Sequence, residues 1–503
     1  MKRALLFVVL PLVLIGNGKA AVINVPGDMD LPTALNTAAS NGEADTINIA
    51  ADTYYTSGST FSYNAAATEN YSLTIVGAGV GNSILDGGKT EQVMNIVTTG
   101  VTNDDTAHIT IRGITFQNGT EVPAPGDGYG GGLYVATISA NATVEDSEFI
   151  SNTAGDDGGG IELSSVNGNL ELRNNSFIGN SSQDDSAGAW AWSSSGTVTY
   201  TGNVFSNNSA NSIGGALAGS NTGTVVLTNN IFGGNSATSD YGGGAAIFSD
   251  SGTVTITNNT FYGNDTSTDG GGLYVWLQFS TATANIYNNI IWGNTKGGGV
   301  SRSDLYVIDE ARFPPTGTGA TVNLYNNDYT DFYIADGDHL STGLNIDVDP
   351  EFVDVSDPDP SNWDLHITTS SPCKDAGTAA APELPTTDID GQLRTVGSAP
   401  DIGADEFSPA SLLTGDGGGG FCFIATAAYG SHMSKEVKVL QRVRDEYLLP
   451  NELGRSFVSG YYKYSPTLAR WIAKHPMMRK MVRIGLYPIM EVSKWFVGEK
   501  PPE

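Results

Sequence analysis

Short alternating runs of apolar and polar residues fill most of this chain. The runs Leu133–Val135, Ile161–Leu163 and Leu273–Val275 place apolar side chains at every second position, and Gly and Asn clusters separate such runs. A period of two indicates strands, and the separators indicate turns. A helical repeat would need amphipathic runs rich in Ala, Leu and Lys, and this part of the sequence has none. We therefore predict an all-β body.

Two landmarks recur along this body. One is a cluster of glycines, with a degenerate copy at 187–189, and the other is a Phe or Ile followed three positions later by Asn. Successive Asn residues of the second landmark are 28, 28, 27, 29 and 30 positions apart. A repeat of this length, built from short strands, predicts a solenoid of stacked coils. The landmarks are Gly130–Gly132, Gly158–Gly160, Gly214–Gly215, Gly242–Gly244, Gly270–Gly272 and Gly297–Gly299, and Phe149/Asn152, Phe177/Asn180, Phe205/Asn208, Phe232/Asn235, Phe261/Asn264 and Ile291/Asn294.

Stacking explains why these residue types recur. Equivalent residues of successive coils lie about 4.8 Å apart, so Phe can form an apolar stack and Asn amides can bond to one another. Glycine permits corners with positive φ, and Asn also tolerates that region. The first coil needs a cap, and residues 30–40 are predicted to form a capping helix. Its N-cap is Asp30, and its buried face is Leu31, Ala34, Leu35 and Ala38.

These motifs resemble the repeats of polymorphic outer-membrane proteins and other right-handed parallel β-helix repeat proteins over residues 45–335. The resemblance implies an all-β, right-handed parallel β-helix solenoid with an N-terminal cap. It implies little about activity, because lyases, glycosidases and adhesins share the fold.

Residues 345–407 resemble the choice-of-anchor Q domain through sequence blocks at 345–352, 371–377, 388–391 and 400–407. That resemblance implies a cap at the C-terminal end of an exported β-helix. Its Asp-rich loops offer oxygen ligands for Ca²⁺, although 388–391 is not a complete EF-hand loop.

The segment 421–431 resembles the start of the CFI-box C-terminal domain, which implies a small, mainly α-helical sorting or anchoring module. Cys422 is then a hypothetical anchoring residue, and a buried structural cysteine is the alternative. The basic tail beyond Thr467 either lies on an anionic membrane surface or packs as a helical pair. Through this module the resemblance implies membrane association without a spanning helix.

The N-terminus predicts export. Lys2 and Arg3 precede an apolar run from Ala4 to Ile15 and then small residues, which is typical of a cleavable signal peptide, with a buried helix as the alternative. We expect the cell surface or outer membrane as destination, or otherwise secretion. The predicted organisation is a signal peptide at 1–21, a cap and first strands at 22–60, β-helix repeats at 61–340, a choice-of-anchor Q-like cap at 341–407, a Gly-rich linker at 408–420 and a CFI-box-like helical domain at 421–503.

Charge and cysteine content exclude several classes of function. Residues 21–420 contain 8 Lys or Arg against 47 Asp or Glu, whereas residues 421–503 contain 13 against 7. An acidic body excludes nucleic acid as a partner, because that binding depends on neutralising phosphates. Cys373 and Cys422 give neither a disulfide framework nor a zinc-binding spacing.

The acidity is partly concentrated at one corner of the coils, where Asp precedes the glycine cluster. Stacked carboxylates raise each other's pKa or require counterions. We therefore hypothesise an edge that binds Ca²⁺ or other cations, with a solvated ridge that opposes aggregation as the alternative. The residues are Asp127, Asp156, Asp157, Asp184, Asp185, Asp240 and Asp269.

Aromatic residues lie near the same corner in the repeat. Exposed rings beside carboxylates suit a glycan, although we expect some of these rings to point inward. The candidate glycan contacts are Tyr129, Tyr134, Tyr241, Tyr274 and Trp276.

The sequence carries no catalytic motif that we can identify. Lyases of this fold use Lys or Arg as a base, but Arg112 and Arg173 are predicted to stack with Glu145 in a structural ladder. Paired glycosidase carboxylates cannot be selected among so many acids. The sequence thus favours a monomeric surface protein that acts as an adhesin, glycan-binding or structural module, with Ca²⁺ as its one candidate cofactor. The alternative is a carbohydrate-active enzyme with an unrecognised site.

Overall fold

A computed structural model of the protein describes residues 20–101, 104, 107–121, 128–309, 319–334 and 339–407, with scattered helical positions between 440 and 493. The chain winds through three long sheets and one short sheet, named A, B, C and D here. From residue 108 to residue 309 each coil passes through A, B, D and then C, whereas the first two coils and the last pass from B to C without a strand in D. The all-β, right-handed parallel β-helix predicted from the sequence is confirmed.

The strands have the following bounds. Sheet A contains Ala21–Val25, Asp45–Ile49, Leu73–Gly77, His108–Arg112, Asn141–Glu145, Leu170–Arg173, Val198–Thr201, Thr224–Thr228, Thr253–Thr257, Thr283–Tyr287, Thr321–Tyr325 and Leu340–Gly343. Sheet B contains Asp52–Tyr55, Ser83–Asp86, Thr115–Gln117, Glu148–Ile150, Ser176–Ile178, Val204–Ser206, Ile231–Gly233, Thr260–Tyr262, Ile290–Trp292 and Asp328–Tyr329. Sheet C contains Phe61–Asn64, Met94–Val97, Leu133–Thr137, Ile161–Ser165, Ala189–Ser193, Ala216–Ser220, Ala245–Ser249, Leu273–Leu277, Leu305–Asp309 and Phe332–Ile334. Sheet D contains Thr120–Glu121, Thr153–Ala154, Ser181–Ser182, Ser209–Ala210, Ser236–Ala237, Asp265–Thr266, Thr295–Lys296 and Ser301–Arg302.

The remaining elements lie near the two ends. An α-helix spans Leu31–Ala38, and a 3₁₀ helix spans Pro360–Asn362. The strands Phe352–Asp354 and Asp364–Ile367 form an antiparallel pair. Helical residues also occur at 481–483 and 485–489.

The predicted Phe stack forms the interior of the coils. Six rings, one per coil, stack face to face with neighbouring centroids 4.6–4.9 Å apart. All six are fully buried, because alternate strand residues point into the solenoid. The rings belong to Phe116, Phe149, Phe177, Phe205, Phe232 and Phe261.

Asn amides form a second internal column where sheet B meets sheet D. Asn208 Nδ2 donates to Asn235 Oδ1 at 2.9 Å and to the carbonyl of Phe177 at 3.0 Å. Its Oδ1 accepts from the backbone N–H and from Nδ2 of Asn180, both at 3.0 Å. The ladder Asn residues are not the left-handed residues of this corner. That conformation belongs to the position before them, for example Asn207 with φ of 57°.

The capping helix is confirmed. Asp30 is its N-cap and accepts a hydrogen bond from the backbone N–H of Thr33, and the helix buries the four predicted side chains. Sheet A begins earlier than the expected first coil at residue 45, because Ala21–Val25 pairs with Asp45–Ile49. This strand is short, and of its residues only Ile23 and Val25 are buried.

Residues beyond 343 first extend the last coil and then turn back along its flank. Asn345 continues an amide column by accepting from the backbone N–H of Asn327 at 2.9 Å. Farther on, left-handed Asn residues at the corner of sheets A and B donate to this segment; Asn258, for example, donates to the carbonyls of Asp401 and Gly403 at 2.9 Å. Trp363 packs edge to face on Tyr262 at 5.2 Å. The segment therefore covers the side of the final coils.

Candidate ligand-binding face

The outer face of sheet C carries two columns of side chains that strand register places above one another. Inward positions such as Leu133 and Val135 fill the core, so the intervening residues point outward. The first column, in order, is Tyr134, Glu162, Trp190, Leu217, Ala246, Tyr274, Tyr306 and Tyr333. The second column is Ala136, Ser164, Trp192, Gly219, Phe248, Trp276 and Ile308.

Aromatic rings make most of this face apolar. Tyr241, from the preceding turn, stacks on Tyr274 at 4.2 Å, and the row continues through Tyr306 at 5.7 Å to Tyr333 at a further 4.7 Å. Tyr333 is half exposed at the end of the row. We name the whole set the aromatic strip; its members are Tyr129, Tyr134, Trp190, Trp192, Tyr241, Phe248, Tyr274, Trp276, Tyr306 and Tyr333.

A glycine in the second column lets one indole lie flat on the sheet. A Cβ at Gly219 would lie 2.4 Å from Cε3 and Cζ3 of Trp192, so no larger residue fits under that ring. The Trp192 indole is held in place by a hydrogen bond from Nε1 to Asn221 Oδ1 at 3.2 Å. The strip is therefore a fixed surface, not a set of loose side chains.

Carboxylates border the strip at the turn that leads from sheet D into sheet C. One carboxylate oxygen from each of Asp156, Asp157 and Asp184 lies within 4.8 Å of the others. We name these three residues the acidic turn. Asp157 Oδ1 accepts from the backbone N–H of Asp185 at 3.0 Å. Burial, and next the charge of Asp185, raise the pKa of Asp157 to about 7.

The predicted acidic edge is shorter than the sequence suggested. Burial raises the pKa of Asp185 to about 6, and Asp240 is close enough to contribute to that shift. Asp269 is not part of a carboxylate row, because it pairs with Lys296 Nζ at 2.5 Å. The coil between Asp185 and Asp240 has no acid at this corner and buries Ile213 there. Asp127 lies outside the described residues.

Glu162 is the one carboxyl group within the first column, and sequence reasoning missed it as a functional residue. It lies between Tyr134 and Trp190 in the register and is 5 % exposed. Its Oε2 has no hydrogen-bond partner among the described residues. Burial raises the pKa of Glu162 well above its usual range, and the charges of Asp157 and Asp156 raise it further.

All five predicted glycan contacts lie on this side of the molecule. Tyr129 packs against Tyr134 at 6.0 Å, and the other three belong to the rows already described. None of these rings enters the solenoid core, because Leu133 and Leu273 take the inward positions, but Tyr274 is buried among the neighbouring rings and is only 5 % exposed. In five coils the second position after the glycine cluster belongs to the first column, and this rule could have revealed Glu162; Trp190 directly follows the degenerate cluster at 187–189. Trp192, Phe248, Tyr306 and Tyr333 were also missed.

The arginine ladder is confirmed as a structural feature on sheet A. Glu145 lies between Arg112 at 4.0 Å and Arg173 at 3.0 Å. Cys373 is a buried free thiol whose Sγ donates to Asp328 Oδ2 at 3.2 Å. Cys422 lies outside the described residues. In the described part of the chain, no helix has both the length and the apolar character needed to cross a bilayer.

A second group of titratable side chains lies in the flanking segment. His366 Nδ1 is 2.5 Å from Asp364 Oδ1, and its Nε2 is 2.7 Å from Asp390 Oδ2. The charges of Asp390 and Asp405 raise the pKa of His366 well above its usual range against the effect of burial. His366 is thus held between carboxylates on both sides of its ring, and the group forms an internal network of ion pairs.

These features define a right-handed parallel β-solenoid with an aromatic outer face, and comparison with a family model supports the fold. A family model described as right handed beta helix region matches residues 36–205. The crystal structure of pectate lyase Pel9A is similar, with a TM-score of 0.41 and 14 % identity, over 78 % of this chain and 97 % of that chain. No curated protein sequence matched the chain. We draw nothing about activity from a structural likeness this weak.

Proposed function

We propose that this protein is an exported surface β-helix that binds an extended, uncharged polysaccharide along the aromatic strip. The observation that carries the proposal is the aromatic strip, whose outward rings lie beside the acidic turn and are interrupted in the first column by Glu162, Leu217 and Ala246. The row from Tyr134 to Tyr333 crosses eight strands, which is about 34 Å at about 4.8 Å per step. A row of that length suits a polymer better than a single sugar.

The chemistry of the strip favours a carbohydrate over a protein partner. Sugar rings present C–H faces that pack on aromatic rings, and their hydroxyl groups donate to carboxylates. Both kinds of surface occur side by side, with Trp190 next to Glu162 in the first column. The parallel sheet beneath is rigid, so the rings need little ordering on binding.

Charge selects the class of polysaccharide. Asp157 and Asp184 form no ion pair with a basic side chain among the described residues. Lys296, a basic residue at this corner, is already paired with Asp269. Uronate and sulfate groups would therefore be repelled. The hydrogen bond to Asp269 raises the pKa of Lys296, which disfavours Lys296 as the base of a lyase.

A glycan array probed with the full-length chain tests the proposal. We expect retention of uncharged polysaccharides and little retention of polyuronates when EGTA is present. Trp190→Ala, Trp276→Ala and Tyr306→Ala should each weaken binding about tenfold or more, as is usual for central aromatic contacts.

The chain offers a matched control for these substitutions. Tyr287 and Tyr325 stack at 5.4 Å on the outer face of sheet A, far from the strip in the coil. Tyr287→Ala should leave glycan binding unchanged. Equal losses from Tyr287→Ala and Tyr306→Ala, or no retained glycan at all, would contradict the proposal.

A further inference from the structure

The acidic turn brings three carboxylates to one point of the solenoid, and a fourth carboxyl group, that of Glu162, lies close enough for the charges of Asp157 and Asp156 to raise its pKa. Asp156 and Asp157 come from one turn, and Asp184 comes from the turn of the next coil. Their oxygens lie within 4.8 Å of one another. Glu162 contacts the same turn, because a Cβ on Gly158 would lie 2.9 Å from its Cβ.

Glu162 distinguishes this group from an ordinary acidic surface. A solvated carboxylate satisfies its oxygens with water, whereas Glu162 is 5 % exposed and its Oε2 meets no donor in the described part of the chain. A buried oxygen without a donor is costly unless a proton or cation occupies the space beside it. Glu162 occupies an outward position of sheet C, and its Cβ faces Gly158, the residue that follows Asp157 of the acidic turn.

We propose that Asp156, Asp157 and Asp184 bind one Ca²⁺ ion, and that Glu162 completes the site directly or through a water ligand. All four groups offer hard oxygen ligands, which favour Ca²⁺ or Mg²⁺ over zinc. Carboxylates from two separate turns fit the variable geometry of Ca²⁺ better than the strict octahedron of Mg²⁺.

The site is one point, not the edge that the sequence suggested. Asp240 belongs to a different turn, and Asp269 already has Lys296 as its counterion. The inference does not depend on carbohydrate binding, since the three clustered carboxylates and the unpartnered Glu162 oxygen are present whatever the aromatic strip binds. It predicts that the surface beside Trp190 carries a cation in a calcium-containing medium.

Terbium luminescence provides the test, because Trp190 neighbours Glu162 in the register and can transfer excitation to a bound lanthanide. The full-length chain is titrated with Tb³⁺ under tryptophan excitation, and Ca²⁺ is then added as a competitor. We expect one sensitised site that Ca²⁺ displaces with an apparent Kd on the order of 0.1–1 mM, as in extracellular modules.

Variants locate the site. D156N/D184N should weaken Ca²⁺ affinity at least about 100-fold and Glu162→Gln about tenfold. Asp184 is exposed, so Asp184→Asn alone provides a variant that cannot disturb folding and should also weaken binding. Trp190→Phe should lower the terbium emission while leaving calorimetric Ca²⁺ binding intact.

Two control variants keep the outcomes distinct. Asp240→Asn changes the same corner in another coil, and Asp390→Asn changes the ion-pair network around His366. Asp240→Asn should lower Ca²⁺ affinity far less than D156N/D184N, because its charge acts on Asp184 only from a distance, and Asp390→Asn should leave the affinity unchanged. The proposal is overturned if the wild type does not bind Ca²⁺, if D156N/D184N binds as tightly as the wild type, or if Asp390→Asn abolishes the signal. Unchanged affinity in Glu162→Gln would remove Glu162 from the site.

Discussion

The amide column and the acidic turn occupy two corners of the same coils, and the same stacking has opposite consequences in the two. Asn208 both donates and accepts, so each amide satisfies the next and the column is complete within the protein. Carboxylates only accept when ionised, so stacking Asp157 and Asp184 leaves repulsion and unmet demand for a positive charge. Stacking therefore stabilises the repeat where the stacked side chains both donate and accept hydrogen bonds. Where they can only accept and carry the same charge, stacking favours the binding of a cation.

The largest expected effect comes from breaking the amide column. Asn208→Ala leaves buried partners in the coils on both sides without hydrogen bonds, which should lower the free energy of unfolding by about 3–5 kcal/mol. The midpoint of urea denaturation measures this loss. The exposed neighbour Asn207 has positive φ, so Asn207→Gly should change stability by less than about 1 kcal/mol. Equal losses in the two variants would contradict the role of the column.

Carboxyl groups, unlike amides, should make stability depend on pH. In and beside the flanking segment, burial raises the pKa of Asp401 to about 6 and those of Asp328 and Glu406 to about 7. A raised folded-state pKa contributes stability at low pH that is lost as the pH rises through that value. We expect the free energy of unfolding to fall by about 1–3 kcal/mol between about pH 5 and about pH 8.

Denaturation midpoints in chelator-treated buffer across that pH range check this expectation. Glu406→Gln should flatten part of the pH dependence, because an amide does not titrate. Stability that rises with pH in the wild type would show that the buried carboxyls are not held protonated as the pKa shifts require.

Replacing one carboxylate of the acidic turn by an amide tests whether charge repulsion destabilises this turn, because the amide keeps the shape of the side chain and removes the charge. Asp157→Asn keeps the acceptor for the backbone N–H of Asp185 and removes one repelling charge. With EGTA present, the variant should be more stable than the wild type by about 1–2 kcal/mol at neutral pH. Thermal melts measure this gain, and Asp240→Asn should give a smaller one. Loss of stability in Asp157→Asn would show that repulsion does not dominate this turn.

The smallest effect is expected in the charged ladder on sheet A, where opposite signs alternate. Glu145→Gln should cost no more than about 1 kcal/mol, because the side chains of Arg112 and Arg173 are 52 % and 42 % exposed. The cost should shrink further in high salt. A loss of several kcal/mol at high salt would show that this ladder contributes as much to the free energy of unfolding as the amide column does.

Much of the fold could be predicted from the sequence, because its repeats expose periodicity directly. The Phe stack, the amide ladder, the capping helix and the Arg112–Glu145–Arg173 ladder all follow from fixed offsets between repeats. The signal peptide and the two C-terminal modules stay predictions, since the family model matched residues 36–205 and neither end of the chain.

The candidate face was harder to predict because its members differ in residue type. Glu162, Trp190 and Tyr306 share a register position without sharing chemistry, so no motif connects them. Tyr134, Tyr274 and the acidic residues were found because they lie at short, fixed distances from the glycine clusters, the tyrosines after them and the acids before them. Burial of Glu162 depends on neighbours in adjacent coils, and that cannot be inferred from one coil.

The central claim is that ligand binding takes place on the outer face of sheet C. Hydroxyl-radical footprinting read by mass spectrometry, with and without a polysaccharide retained on the array, tests it most directly because every aromatic side chain reports at once. We predict protection of Trp190, Trp276, Tyr306 and Tyr333, with Tyr287 and Tyr325 on sheet A unchanged. Protection of the sheet A tyrosines with none on sheet C would contradict the account.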